Sequence, residues 1–142
     1  MMYEPIQLAW AAGIIDGEGC IRLAPSKNNG RPSYSVMLKV EMTHEETIIK
    51  LRRIWGCGGR HDHKGTNKPA FGLQANGEQA IHIIRRLLPY LVTKRLQAEL
   101  VIEYWEQCQN AGGWSKEITV EIQAHRELIY EELKRLNGKW SE

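Results

Sequence analysis

The stretch Ala11-Ala12-Gly13-Ile14-Ile15-Asp16-Gly17-Glu18-Gly19 decides how this chain is read. Upstream of it, Pro5 sits where a first-turn proline is tolerated. The residues that follow are good helix formers, which predicts a helix over 6–15. Small side chains recur at Ala9, Ala12 and Gly13. They let a second backbone approach closely, so this helix is expected to pack tightly against a partner helix. At its end, Gly17 and Gly19 stop the helix and release the chain, leaving two carboxylates, Asp16 and Glu18, at the exit.

Downstream, residues 20–24 read as a strand with Ile21 and Leu23 inward and Arg22 outward. Residues 25–32 are rich in turn formers and read as a polar loop. Residues 33–42 alternate: Val36, Leu38, Val40 and Met42 on one face, Ser35, Met37, Lys39 and Glu41 on the other. The two segments form an expected antiparallel hairpin. Thr43 reads as an N-cap with Glu46 completing a capping box. A helix over 44–55 follows, with Ile48 and Leu51 in its stripe, broken by Gly56 to Gly59. Short strands are expected at 60–64 and 69–75 around a Gly65-Thr66-Asn67 turn. Helices are expected at 77–88 behind Asn76, at 94–109 behind Thr93 with Leu96, Leu100 and Trp105 inward, and at 116–136. Strands joined by short turns, with helices between the pairs, make an α+β domain.

At 142 residues the chain reads as one domain, with a core at about 5–110 and a C-terminal helical extension at 114–142. Apolar residues make up 42% and charged residues 25%, which excludes a disordered or collagen-like chain. The longest apolar stretch, at 8–15, is far too short for a bilayer span, and no basic leader precedes it. Three widely spaced cysteines suit a reduced, intracellular protein rather than a disulfide scaffold. The net charge of +2 is unevenly spread: residues 20–95 hold 14 Lys and Arg against 5 Asp and Glu, and the rest holds 5 against 12. A basic middle on a near-neutral body suggests a surface that faces a polyanion.

The nine-residue stretch resembles the signature of the LAGLIDADG homing endonucleases, with Ala11 in place of the leading leucine and Gly17-Glu18 in place of Ala-Asp. The order helix, two strands, helix, two strands, helix is similar to that family's αββαββα plan over about 5–104. The resemblance implies an antiparallel saddle-shaped sheet with extra C-terminal helices. A single copy of the motif resembles the homodimeric branch, with Ala9, Ala12, Gly13 and Asp16 at the dimer interface. It implies a site-specific double-strand DNA endonuclease that hydrolyses phosphodiester bonds of a long, pseudo-palindromic target and leaves short 3′ overhangs. The implied role is intron mobility. The alternative is a cleavage-inactive relative: a DNA-binding regulator, or an RNA-splicing maturase that binds intron RNA.

The resemblance also implies site residues. Glu18 matches the acid that holds the metal. Two Glu18 carboxylates near a two-fold axis would repel unless a divalent cation, Mg2+ or Mn2+, neutralised them. Asp16 matches the first acid, whose role is expected near the helix terminus, beside the metal rather than on it. His44 stands where the family often has a polar residue that orients a water; a histidine there is expected either to do the same or to act as a general base. Lys94 resembles the active-site lysine, whose ammonium stabilises developing negative charge. Where the family often has an arginine in the second helix, this chain has Ile48, with Arg52 or Arg53 as substitutes.

An antiparallel ribbon fits the major groove, where base edges are distinguishable. Expected DNA-facing residues on the first hairpin are Arg22, Ser26, Lys27, Asn28, Asn29, Arg31, Ser33, Ser35, Met37, Lys39 and Glu41. Arg60, His61, His63, Lys64, Asn67, Lys68 and Gln74 extend the surface from the second pair. Cys57, His61 and His63 lack zinc-finger spacing and are not read as a structural zinc site.

Overall fold

The computed structural model describes residues 5–28, 31–65, 68–110 and 119–138. Its elements run α1 (Pro5–Glu18), β1 (Gly19–Asn28), β2 (Arg31–Met42), α2 (Glu45–Trp55), β3 (Gly59–His63), β4 (Ala70–Asn76), α3 (Gly77–Leu87), α4 (Arg95–Asn110) and α5 (Val120–Leu136), with a 3-10 turn at Leu88–Tyr90. The strands form one antiparallel sheet in the order β1-β2-β4-β3. No helix among the described residues is long and apolar enough to cross a membrane.

Alternation in the strands sorts side chains between two faces. Ile21, Leu23, Tyr34, Val36, Leu38, Val40, Leu73 and Ala75 are buried beneath the helices. The opposite face carries Arg22, Ser35, Met37, Lys39 and Gln74, all partly exposed. Thus the period-2 pattern of residues 33–42 is realised as expected. The hairpin is longer than the turn-forming composition of 25–32 suggests. Pairing continues through Pro25↔Tyr34 and Ser26↔Ser33 to Asn28↔Arg31. The Ser26 and Ser33 hydroxyls meet at 2.9 Å. β4 pairs with β2 only between Met37 and Met42. The far half of the hairpin is therefore two-stranded, and its prolines interrupt no ladder on their outer edges.

The chain passes from α1 into β1 at Gly19, where a Cβ would stand 2.9 Å from the Ile15 backbone. Glycine is required there because helix and strand meet so tightly. At α2 the N-cap is His44 rather than Thr43: the ring Nδ1 accepts from Thr47 N at 3.3 Å and lies 2.8 Å from Thr47 Oγ1. Ile48, Leu51, Ile54 and Trp55 are buried along α2, while Ile49 is exposed. In α4 the inward stripe is turned from the expected one. Gln97, Ala98, Val101, Tyr104 and Cys108 are buried, whereas Leu96 is exposed and Leu100 and Trp105 are half-buried.

The physical reason is α5, which gives polar groups of α4 somewhere to bond. Gln97 Nε2 donates to Asn137 Oδ1 at 3.3 Å, and Asn137 Nδ2 donates to Ile21 O at 3.0 Å. Tyr130 stacks on Tyr34 with ring centres 4.6 Å apart, and the Tyr104 hydroxyl donates to Tyr34 O at 2.8 Å. Burial raises the pKa of both Tyr34 and Tyr104 above the ordinary phenol value. The helix expected at 116–136 begins at Val120, with Thr119 as its N-cap. Residues 116–118, Trp114 and Trp140 lie outside the described residues.

Candidate nucleic-acid interface and catalytic centre

α1 is apolar on nearly every side. Ala11, Ala12 and Ile15 are buried within the chain. Ile6, Ala9, Gly13 and Gly17 are exposed on the other side. A Cβ at Gly13 or Gly17 would meet nothing within 4 Å. A helix apolar all round is normally buried all round, so this bare face is suited to a second helix. Of the four residues expected at a dimer contact, Ala9 and Gly13 lie on that face. Ala12 does not: it is fully buried in the chain's own core. Gly17 belongs to the face and was legible from its i, i+4, i+8 spacing with Ala9 and Gly13.

The C-terminal turn of α1 is tied to the start of α4. Asp16 Oδ2 accepts from Val92 N at 2.9 Å and Oδ1 accepts from Lys94 N at 2.9 Å. In return Lys94 Nζ donates to Asp16 O at 3.0 Å. Lys94 O accepts from Ala98 N, so Asp16 acts as a capping carboxylate for a helix 78 residues away. The ammonium meets a last-turn carbonyl that has no partner within α1, at the negative end of that helix. Both oxygens of the Asp16 carboxylate are thereby engaged by backbone N–H groups.

Glu18, two residues on, is exposed and makes no hydrogen bond or ion pair with any described residue. Gly19 pairs with Val40, so Glu18 stands at the end of the β1–β2 ladder nearest Glu41 and Met42. His44 begins α2 just beyond that end. Its Nδ1 is engaged as the cap acceptor, which leaves Nε2 as the outward nitrogen, 3.9 Å from Glu46 Oε1. In this arrangement His44 offers an N–H outward rather than a free base. Ile48 is in the core, and Arg52 is turned away to Gly58 O at 2.9 Å.

Among the described residues, no group of three or more His, Cys, Asp or Glu could hold a metal ion. Mg2+ is ordinarily held by one or two carboxylates together with waters and phosphate oxygens, a donor set to which each chain can offer the Glu18 carboxylate.

The outer face of the sheet gathers most of the expected DNA-facing residues. Lys39 pairs with Gln74, Arg22 with Met37, and Glu41 with Gly72. On β3, His61 and His63 point to this face. His63 Nε2 reaches Glu41 Oε2 at 3.3 Å. Lys64 and Lys68 are exposed beside it. Gln74 donates to Asn76 Oδ1 at 3.0 Å. Lys27, Asn28 and Arg31 lie on the far strands of the hairpin, while Asn29 and Asn67 are outside the described residues. Arg60 departs from the expectation. It alternates to the helix side, where it pairs with Asp62 at 2.8 Å and Glu45 at 3.0 Å and lies over the Phe71 ring.

A helix that ends in paired acids beneath a four-stranded antiparallel sheet, with helices on one face only, defines the LAGLIDADG class of fold. The chain has the fold of the LAGLIDADG homing endonucleases and is similar to members of that family. It is similar to the DNA endonuclease I-CvuI of Chlorella vulgaris, with 27% identity over 114 residues, covering 76% of this chain and 69% of that protein. The crystal structure of I-CvuI with its target in the presence of calcium superposes with a TM-score of 0.74 at 23% identity, covering 92% of this chain and 82% of that one. The archaeal intron-encoded homing endonuclease I-Vdi141I, complexed with DNA, gives 0.75 at 11% identity, covering 94% and 86%. No protein-family model matches the chain.

Proposed function

We propose that this chain is a site-specific double-strand DNA endonuclease that works as a homodimer. The observation that carries the reading is the exposed small-residue face of α1, Ala9, Gly13 and Gly17, ending in Glu18, which has no partner among the described residues. Two copies meeting on that face bring two Glu18 carboxylates to the axis, and both sheets turn their polar faces to one duplex. That the similar proteins are a DNA endonuclease and homing endonucleases bound to DNA supports this reading.

Each protein group has a part in the reaction. The sheet face holds the duplex through its basic and amide side chains and sets the register. The two Glu18 side chains, with phosphate oxygens, would hold divalent metal; Mg2+ or Mn2+ fits a donor set of hard oxygens. When bound, the metal activates water and offsets charge at the scissile phosphate. Lys94, whose ammonium Asp16 ties to the end of α1, supplies positive charge beside Glu18. His44 presents its outward N–H to the phosphate or to the water chain near it. The intracellular setting expected from the cysteines suits a protein whose partner is DNA.

The test is a selection from randomised duplexes in Ca2+, followed by transfer to Mg2+ with Glu18→Gln in parallel. The expected result is enrichment of a near-palindromic site, cut by the wild type and bound but uncut by the variant. Enrichment without cutting would instead fit a binding-only regulator. Preference for intron RNA over duplex would fit a maturase.

A further inference from the structure

The middle of β4 is bare on the outer face of the sheet. Ala70 and Gly72 occupy successive outward positions there, between Glu41 on β2 and His61 and His63 on β3. The two histidines fold inward over this trough. His63 spans it to reach Glu41 at 3.3 Å. His61 lies on Gly72 itself: a Cβ at Gly72 would stand 2.3 Å from His61 Nε2, 2.6 Å from Cδ2 and 2.7 Å from Cε1. The flanking His63 ring meets His61 edge-on, with centres 6.1 Å apart. His61 is thus held from below by a missing side chain and from one side by a ring.

That seat determines which ring nitrogen is available. His61 Nε2 is buried and has no hydrogen-bond partner among the described residues. A buried N–H without a partner is rarer and costlier than an unused acceptor. The ring therefore carries its hydrogen on Nδ1, the nitrogen not sealed against β4, and offers a donor outward. In a major groove the acceptors that such a donor meets are guanine N7 and O6, adenine N7 and thymine O4.

We infer that Gly72 is a specificity-determining positioning residue: it seats the His61 ring on the sheet so that Nδ1–H reads one base-edge acceptor. This rests on the proposed binding of duplex DNA to the outer face. Gly72 has no positive φ, so its backbone accepts alanine. Alanine there leaves the strand intact and evicts the ring.

The experiment profiles base preference at every position of the selected duplex, in Ca2+, for wild type, Gly72→Ala, His61→Ala and the double variant. Thermal melts of all four are recorded alongside. Each single variant is expected to lower the preference at the same base pair of each half-site by about fivefold, the worth of one hydrogen bond. Other positions keep their preferences, and Gly72→Ala adds nothing once His61 is removed. An unchanged profile for Gly72→Ala overturns the inference. So does a loss at a different position, or an equal loss in the His61→Ala background. If the wild type itself enriches no duplex, the DNA reading fails first and the inference with it. If it enriches one, the reading stands whatever Gly72 does.

Discussion

Replacing Asp16 by alanine separates a structural acid from Glu18, the acid proposed to hold metal. The carboxylate accepts two backbone N–H bonds, both at 2.9 Å, from Val92 and Lys94. Hydrogen bonds to a charged group contribute about 1.5–3 kcal/mol each, and a lost helix cap costs about 1 kcal/mol. The Val92 bond is solvent-exposed and the Lys94 bond only part-buried, so water replaces some of this. The net cost of Asp16→Ala is therefore about 2–3 kcal/mol. With a urea m-value of about 1–3 kcal/mol/M, the midpoint falls by roughly 0.7–3 M. Glu18→Gln, at an exposed position with no partner, moves stability by less than about 0.5 kcal/mol. Urea unfolding followed by far-UV circular dichroism measures both. If Asp16→Ala kept the wild-type midpoint, the capping argument would be refuted. If Glu18→Gln fell as far as Asp16→Ala, the division of labour between the two acids would be wrong.

Three further outcomes follow from named contacts. Gly13→Arg has open space in one chain, so the monomer is expected to stay folded, while sedimentation is expected to show loss of the proposed self-association through α1. Gly19→Ala drives a Cβ to 2.9 Å from the Ile15 backbone and lowers stability by about 1–3 kcal/mol in thermal or urea unfolding. The Arg135 guanidinium, hydrogen-bonded to Glu132, holds that carboxyl below its ordinary value. A depressed folded-state pKa contributes stability above the unfolded pKa that is lost as pH falls through the folded one. An NMR titration is expected to show a low Glu132 midpoint that rises in Arg135→Ala.

How much of this was legible in the sequence follows from the range of each interaction. Strand faces were readable because alternation is local: Val36, Leu38 and Val40 go in wherever the strand lies. The signature stretch was readable because glycine and acid at a helix exit carry their own geometry. Contacts that depend on distant partners were not. Asp16 finds its N–H partners 76 and 78 residues on. The α4 stripe turned because Asn137 satisfies Gln97. Arg60 lies on the helix side because adjacent strand residues alternate, so that with His61 outward Arg60 meets Glu45. His44 took the cap from Thr43 because an imidazole nitrogen reaches Thr47 N as well as a hydroxyl does. Ala12 looked like an interface residue because small side chains suit close approach equally within a chain and between chains.

The proposed cutting centre is composite, with one Glu18 from each of two chains. Single-turnover cleavage of the selected duplex in Mg2+ tests it most directly, comparing wild type, Glu18→Gln and the monomeric Gly13→Arg. Both variants are expected to lose cutting by roughly 10²–10³-fold or more, Glu18→Gln while still dimeric and bound, Gly13→Arg with Glu18 intact. Cutting by the Gly13→Arg monomer at the wild-type rate would contradict it.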